Sequence, residues 1–534
     1  MSLQFITGNS GNGKTKYLFN RIVKEAKANP RDNYLVIVPE QFTMQTQRQL
    51  VDLSENKAIM NIDVISFKRL AYRVFDELGI TNLTVLEETG KNLVLRKLAA
   101  QEADKLGVIG RNLNRIGYIS EVKSLLSELV QYNISPEELG RYIASGMLSD
   151  TLSDKLKDVL VLYEAFEKFM QDKYITAEEI LNVLSNVAEE SAILRNSVIA
   201  FDEFTGFTPI QNQLIKKLFV ISKKIYVTLT IDCREDIFKS RGMQELFDMP
   251  KRTVKSLTEM AAFYGIEVEE PIILDKNYRL AENEELSFME QQLFRKRRCS
   301  FKKAPKHIHI DCLRDPKQEL TKIARRINEL VRNENLRYRD IAIVTGDVNI
   351  YAGYVREIFD KYNIPYFIDA TQEILFHPFI EFIRSIPDIA AQNFSADAVF
   401  RFLRCGFSEL LDSEIDVLEN YVLACGVRGK SAWDKKWVRL PKHKAGYDIE
   451  LLNQSREYIM ELLKPVYQVF SDKKSTVKDY VLAIYKLIVL LDIPDKLAKK
   501  EQALLDAGDQ TASKEYGQIY KIVMQLFEKY VAVL

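Results

Sequence analysis

The sequence predicts an α/β chain whose parallel sheets are interrupted by large helical insertions, with a phosphate-binding (P-loop) turn after the first strand. Three observations carry this prediction. Short apolar runs alternate with helical periods at the start of the chain; "GNSGNGKT" (8–15) stands between such a run and such a period; and apolar runs return at 197 and again at 307 after long helical stretches. Strand–helix alternation is the grammar of βαβ units, whose strands pair in parallel.

Taken in order, "LQFIT" (3–7) reads as a buried strand, and a helix follows from about Lys14 with Leu18 and Ile22 on one face. "YLVIV" (34–38) and "IDVIS" (62–66) read as the second and third strands, each followed by a helical pattern. From about 84 to 190 the pattern is nearly all helix: Leu152, Leu156, Val159, Tyr163, Phe166 and Met170 recur at three- and four-residue spacing. Strands return as "SVIAF" (197–201) and "IYVTLT" (225–230), so the helical block reads as an insertion between two strands of one sheet. Residues 283–294 read as a helix, and "RKRRCSFKKAPK" (295–306) as either a solvated linker or a strap that contacts phosphates. A second α/β unit is expected from "HIHIDCL" (307–313), with a helix over 317–333, a strand "IAIVTG" (341–346), another helix and a strand "IPYFI" (364–368). The remainder, 371–534, reads as mostly helical and ends on an apolar helical run, which resembles a cut more than a finished domain.

A chain of 534 residues exceeds what one core supports, so several domains are expected. Lys and Arg together number 75, as do Asp and Glu, so the net charge does not advertise a nucleic-acid surface, though it leaves room for a local groove. The five cysteines (Cys233, Cys299, Cys312, Cys405, Cys425) form no CxxC pair, which argues against a disulfide framework or a zinc site. The four histidines (His307, His309, His377, His443) show no ligand spacing, and no G-x-S-x-G signature is visible. No signal peptide is evident, and "VLAIYKLIVLLDI" (481–493) is too short to span a bilayer and carries Lys486, so a cytoplasmic protein without a membrane partner is expected.

The loop fits G-x-x-x-x-G-K-[ST]. Backbone N–H groups over Gly8, Asn9, Ser10, Gly11, Asn12 and Gly13 can face phosphate oxygens, Lys14 can reach the β and γ phosphates of ATP, and the Thr15 hydroxyl can ligate Mg2+. Asp202 and Glu203, which follow the strand "SVIAF", supply the acidic partner: Asp202 for the magnesium shell and Glu203 to polarise the attacking water. The bland alternative is an Asp-Glu pair that caps a helix.

With the phosphate loop, "VPEQFTMQTQR" (38–48), "DVISFKRLAYRVF" (63–75), "FDEFTGFTPIQ" (201–211) and "NYRL" (277–280) in this order, the chain resembles a superfamily 1 helicase core of the UvrD type. Within that group it resembles the AddB family, which supplies one of the two subunits of AddAB helicase–nucleases. The resemblance implies a RecA-like P-loop NTPase fold: domain 1A from 1–83 plus 191–294, a helical insertion 1B at 84–190, a basic linker at 295–306, the start of domain 2A at 307–370, and a 2B-like helical insertion at 371–534. It implies that Arg279 contacts the γ-phosphate. It also implies a single-stranded DNA path along the loops after the second and third strands and after the acidic pair, where Gln41, Thr43, Phe67, Arg69 and Phe207 would recognise Chi, a short regulatory sequence. The bland alternative makes Phe67 and Phe207 core residues and Gln41 and Thr43 helix-capping ones.

Departures from the helicase pattern temper the expected activity. Thr205 and Gly206 stand where UvrD-type enzymes carry a Gln and an Asp that couple nucleotide to DNA, and "LTIDCRED" (229–236) is not recognisable as the third motif. The family places a nuclease domain and an iron–sulfur cluster in a C-terminal half; no cysteine here matches the cluster ligands, so both are expected outside this chain. The family also implies an AddA-type partner in a heterodimer that acts on duplex DNA ends in double-strand break repair. Two activities follow: a protein that binds ATP and single strand with little turnover, or an active ATP-dependent translocase. A small-substrate P-loop kinase is a third reading, disfavoured by the size of the helical insertion.

Overall fold

The computed structural model describes all residues except 81–84, 109, 111–116, 147, 172–173, 296–298, 372, 442–446 and 534. His443, the expected 83/84 domain boundary and the middle of the basic linker therefore fall outside the described residues. The chain forms two compact units, Met1–His309 and Ile310–Leu534.

The first unit starts with β1 (Ser2–Gly8), α1 (Lys14–Ala28), β2 (Tyr34–Ile37), α2 (Thr43–Leu53), β3 (Ile62–Ile65) and α3 (Phe67–Leu78). The helical block follows as β4 (Val85–Leu86), α4 (Glu88–Gln101), α5 (Tyr118–Gln131), α6 (Pro136–Ala144), α7 (Asp150–Met170), β5 (Ile175–Thr176) and α8 (Ile180–Val187). The sheet then resumes with β6 (Val198–Phe201), α9 (Pro209–Ile221), β7 (Lys224–Thr230), α10 (Asp248–Phe263), β8 (Glu267–Val268), β9 (Ile272–Leu274) and α11 (Glu284–Gln292).

The main sheet has the order β3-β2-β6-β7-β1-β8, with β9 also pairing β1, and every pairing is parallel. Its central strands β1, β2, β6 and β7 are buried on both faces, which is why they read as unbroken apolar runs. Alternate residues feed opposite cores. Ile6 and Val36 pack with Leu18, Phe19 and Ile22 of α1 and Leu50 of α2. Phe5, Leu35 and Ile37 pack with Leu70 and Val74 of α3, Leu214 and Leu218 of α9, and Leu257 of α10. Because all strands run the same way, their C-terminal ends open on one edge, where the loops after β1, β2, β3 and β6 emerge.

The insertion is helical as expected, with one addition and one refinement. β4 and β5 form a two-stranded parallel pair at its base. α8 does not stand apart with the insertion; Ile180 and Leu184 are buried in the core of the main sheet, against α3 and α9.

The second unit departs from the expectation. α12 (Pro316–Asn333) and α13 (Val348–Lys361) form where the periodicity predicts helices and bury Leu320, Ala324, Ile327, Ile358 and Phe359 between them. The runs 307–313, 341–346 and 364–368 do not form strands, and the second parallel sheet expected from residue 307 is absent among the described residues. A strand requires a neighbouring backbone to complete its ladder. These runs have none. Ile364 is buried with α12 and α13, but other apolar side chains of the runs stay in solvent: Ile310 is 94% exposed, Val344 93% and Phe367 87%. The rest is helical as predicted, from α14 (Pro378–Ala391) through α15 (Ala396–Leu403), α16 (Asp412–Cys425), α17 (Lys430–Asp434), α18 (Ile449–Ser471), α19 (Val477–Leu490) and α20 (Ile493–Asp506) to α21 (Gln510–Val533). One core unites these helices, built on Phe379, Phe382, Tyr421, Trp433, Ile459 and Ile519. Among the described residues no helix is long and apolar enough to cross a membrane.

Candidate nucleotide-binding site

The loop Gly8–Thr15 turns from the end of β1 into the first turn of α1. Gly11 and Gly13 sit at φ of 89° and 79°, a left-handed conformation that side chains resist. At Gly11 a side chain would also collide, since a Cβ there would lie 2.8 Å from both Arg279 Cβ and Asn277 Oδ1. The segment after β9 therefore lies directly on the loop. Tyr278 N donates to Gly11 O at 3.0 Å, Asn277 Nδ2 to Ser10 O at 3.0 Å, Asn12 Nδ2 to Leu274 O at 2.5 Å, and Arg279 Nη1 to Ser10 Oγ at 3.4 Å.

Lys14 Nζ donates to Gly8 O and to Asn9 O, both at 3.0 Å, so the ammonium is held across the mouth of the loop. Burial pushes this lysine below its ordinary range, while Asp202 and Glu203 pull it back up. Asp202 directly follows β6, two strands from β1, and is 1% exposed. Its Oδ1 accepts from Thr228 Oγ1 on β7 and from Thr15 Oγ1, the latter at 3.4 Å, while Thr15 Oγ1 also reaches Glu203 Oε1 at 3.3 Å. Burial pushes the Asp202 carboxyl up from its usual range, against the hydrogen bond from Thr228. Asp202 Oδ2 is buried with no hydrogen-bond partner among the described residues. A buried, unpaired carboxylate oxygen beside a threonine hydroxyl is a hard-oxygen donor set suited to a magnesium ion. Glu203 holds a non-glycine φ of 63°, a strained conformation of the kind that concentrates at functional sites.

These groups line one cavity of about 780 Å3, together with Tyr278, Arg279 and the α2 residues Gln45, Thr46 and Gln49. The structure thus brings together Lys14, Thr15, Asp202, Glu203 and Arg279, all of which were legible in the sequence. Tyr278 and Thr228, like Gln45, Thr46 and Gln49, line the cavity without having been expected there. Tyr278 is 65% exposed and would touch a Cβ at Gly13; its place beside Arg279 in "NYRL" was the available signal. Thr228 read only as part of a strand.

The expected DNA-facing residues divide. Gln41 and Arg69 are exposed at the C-terminal edge of the sheet. Thr43 is buried, and its hydroxyl donates to Glu40 O at 2.9 Å, a local cap. Phe67 is buried as well, within an aromatic cluster with Phe201, Phe204 and Phe207 whose ring centroids lie 5.2 to 6.4 Å apart. Phe207 is half-buried in that cluster. Thr43 and Phe67 thus offer no open face for stacking or reading a base; they fix the short turn that carries Gln41 and the first turn of α3 that carries Arg69. The pair that replaces the coupling Gln and Asp is also explained locally: Thr253 of α10 donates to Thr205 O at 3.3 Å, and a Cβ on Gly206 would press to 3.2 Å from Thr253 Oγ1.

The basic stretch is tied down at both described ends. Arg295 pairs with the buried Asp232 at 2.9 Å and lies over the Phe247 ring, while Glu285 accepts from the backbone N–H of Lys306 and His307 at 2.6 and 2.8 Å. Arg295 is thus a structural anchor and not a free phosphate contact.

Comparison with known proteins agrees with the arrangement of motifs. The family described as "ADDB, N-terminal" matches residues 5–290. The B-type component of the ATP-dependent helicase/deoxyribonuclease of Lachnoclostridium phytofermentans is 38% identical over 544 aligned residues, covering 100% of this chain and 47% of that protein. Its counterparts of the same name from Clostridium acetobutylicum and Clostridium novyi are each 31% identical, again over 100% of this chain and 47% and 46% of theirs. The chain spans about half the length of the relatives it matches. With its phosphate loop, strand-end acidic pair and NYRL segment inside the matched residues, the chain belongs to the AddB family.

Proposed function

We propose that this chain is the nucleotide- and DNA-binding part of an AddB protein, which works with an AddA-type partner in a heterodimeric helicase–nuclease that processes broken DNA ends in the cytoplasm for recombinational repair. The carrying observation is the convergence of Lys14, Thr15, Asp202 and Glu203 on one cavity at the loop, with the buried Asp202 Oδ2 left unpaired.

In this reading ATP lies along the loop with its phosphates on the backbone N–H groups and Lys14. Arg279 approaches from the segment after β9, and the exposed Tyr278 ring offers a face on which a base can stack. Mg2+ would be held by Thr15 Oγ1 and Asp202, and it supplies charge that offsets the phosphate oxygens. Glu203, fixed by its strained backbone beside Thr15, is the group that would orient and deprotonate water.

Thr205 and Gly206 offer none of the polar groups that a translocase uses to couple nucleotide to DNA. The chain is therefore proposed to hold ATP with little turnover of its own, and to recognise a Chi-type sequence in single-stranded DNA through Gln41 after β2 and Arg69 in the first turn of α3, supported by Thr43, Phe67 and Phe207. A protein that need not step along its strand can dwell on one sequence. The nuclease and its iron–sulfur cluster belong, in this proposal, to the part of AddB proteins that this chain does not span.

A second reading, an active ATP-dependent translocase, is favoured by one observation: Glu203 Oε1 lies 3.3 Å from Thr15 Oγ1, within reach of water at a phosphate. Steady-state ATP turnover on single-stranded DNA, with and without an AddA-type partner, separates the two. Rapid turnover by this chain alone that Glu203→Gln abolishes would support the translocase.

A further inference from the structure

Glu290 lies on α11, far along the chain from the phosphate loop, yet its Oε1 accepts a hydrogen bond from Asn9 Nδ2 at 2.7 Å. Asn9 is 5% exposed and uses its side chain at both ends, since its Oδ1 accepts from Cys233 N at 2.9 Å just beyond β7. Its backbone carbonyl, with that of Gly8, is where Lys14 Nζ donates. One asparagine thus joins three things: α11, the exit of β7, and the lysine of the loop.

We propose that Glu290 is a positioning residue for nucleotide binding, acting through Asn9 on Lys14. This inference rests on the nucleotide reading of the loop. Without the carboxylate, a nearly buried amide N–H group loses its partner, which is unfavourable. The amide is then free to turn over, which would release Cys233 N and let the Asn9 peptide rotate. The carbonyl that aims Lys14 across the loop moves with that peptide. The tie to Asn9 is a matter of acceptor geometry, because a glutamine at 290 presents the same Oε1 to Asn9 while an alanine presents nothing; the carboxylate also acts on Lys14 through its charge.

The test is calorimetric titration of the full chain with MgATP, using wild type, Glu290→Gln, Glu290→Ala, Asn9→Ala, the double variant Asn9→Ala/Glu290→Ala, and Lys14→Ala, with thermal melts of each. Glu290→Ala and Asn9→Ala are each expected to weaken binding about fivefold, the double variant no more than about tenfold in place of the roughly 25-fold of independent effects, and Glu290→Gln to stay within about twofold of wild type. Asn9→Ala probes the same tie from the loop side should Glu290→Ala melt too low to titrate. Wild-type affinity in Glu290→Ala, equal losses in Glu290→Gln and Glu290→Ala, or multiplicative losses in the double variant would each overturn the proposal. If wild type binds MgATP no better than Lys14→Ala, the nucleotide reading itself fails and this inference falls with it. If Lys14→Ala alone loses binding, only the role of Glu290 is refuted.

Discussion

At the scale of single residues the site concentrates features that are unfavourable in the unliganded fold. Asp202 is buried with an oxygen unpaired among the described residues, and burial raises its carboxyl above the usual aspartate range. The sign follows from that direction: its ionised form is penalised in the fold, so its contribution to stability is present in acid and is lost as pH rises through the raised value. Asp202→Asn removes the penalty and is expected to stabilise the unliganded chain at neutral pH by about 1–2 kcal/mol. The gain should vanish in acid, and the variant should lose the magnesium-dependent part of its ATP affinity. Melts of both proteins across pH, with and without MgATP, check this; a variant less stable than wild type at neutral pH would contradict it. Glu203 tells the same story in its backbone, with a φ of 63° that a residue bearing a side chain rarely adopts. The acidic pair and the loop were readable from spacing alone. Tyr278 was not, because one aromatic in a loop carries no period; only the fold brings it to the cavity mouth.

At the scale of elements, the parallel sheet sets which loops meet, and local packing decides which of their side chains face out. β3, β2 and β6 are neighbours, so the loops after them converge. Their aromatics converge too far to serve as stacking platforms: Phe67, Phe201, Phe204 and Phe207 pack on one another instead. The sequence could place these residues at one edge but could not say which way each side chain points, since burial there depends on neighbours far along the chain. Two outcomes separate support from contact. Phe67→Ala is expected to destabilise the first unit by about 3 kcal/mol or more, measured by denaturant melts. Arg69→Ala is expected to leave stability within about 0.5 kcal/mol, yet to weaken single-stranded DNA binding and to flatten its salt dependence by about one counterion, read from affinity titrations over a salt series. Unchanged DNA affinity in Arg69→Ala would remove that residue from the proposed interface.

At the scale of the whole chain, the two units show how far apolar patterning reaches. The main sheet formed as predicted because each of its runs found partners on both sides or at an edge. The runs 307–313, 341–346 and 364–368 carry the same apolar signature, and their helices α12 and α13 formed, but without ladder partners they remain unpaired. Apolar pattern identifies a segment that suits a strand; only the presence of neighbouring backbone makes it one. Hydrogen exchange on this chain should therefore find the amides of 341–346 exchanging at least on the order of a hundredfold faster than those of β1 and β7. Equal protection would reveal a second sheet in this chain and contradict the unpaired state of these runs.

The central claim is that the loop Gly8–Thr15 with Asp202 holds a nucleotide. MgATP titration of the wild-type chain against Lys14→Ala, followed by turnover on single-stranded DNA, tests it most directly. Wild type is expected to bind, Lys14→Ala to bind about 10–100-fold more weakly, and turnover to stay low in the absence of an AddA-type partner. Identical affinities in the two proteins would contradict the claim.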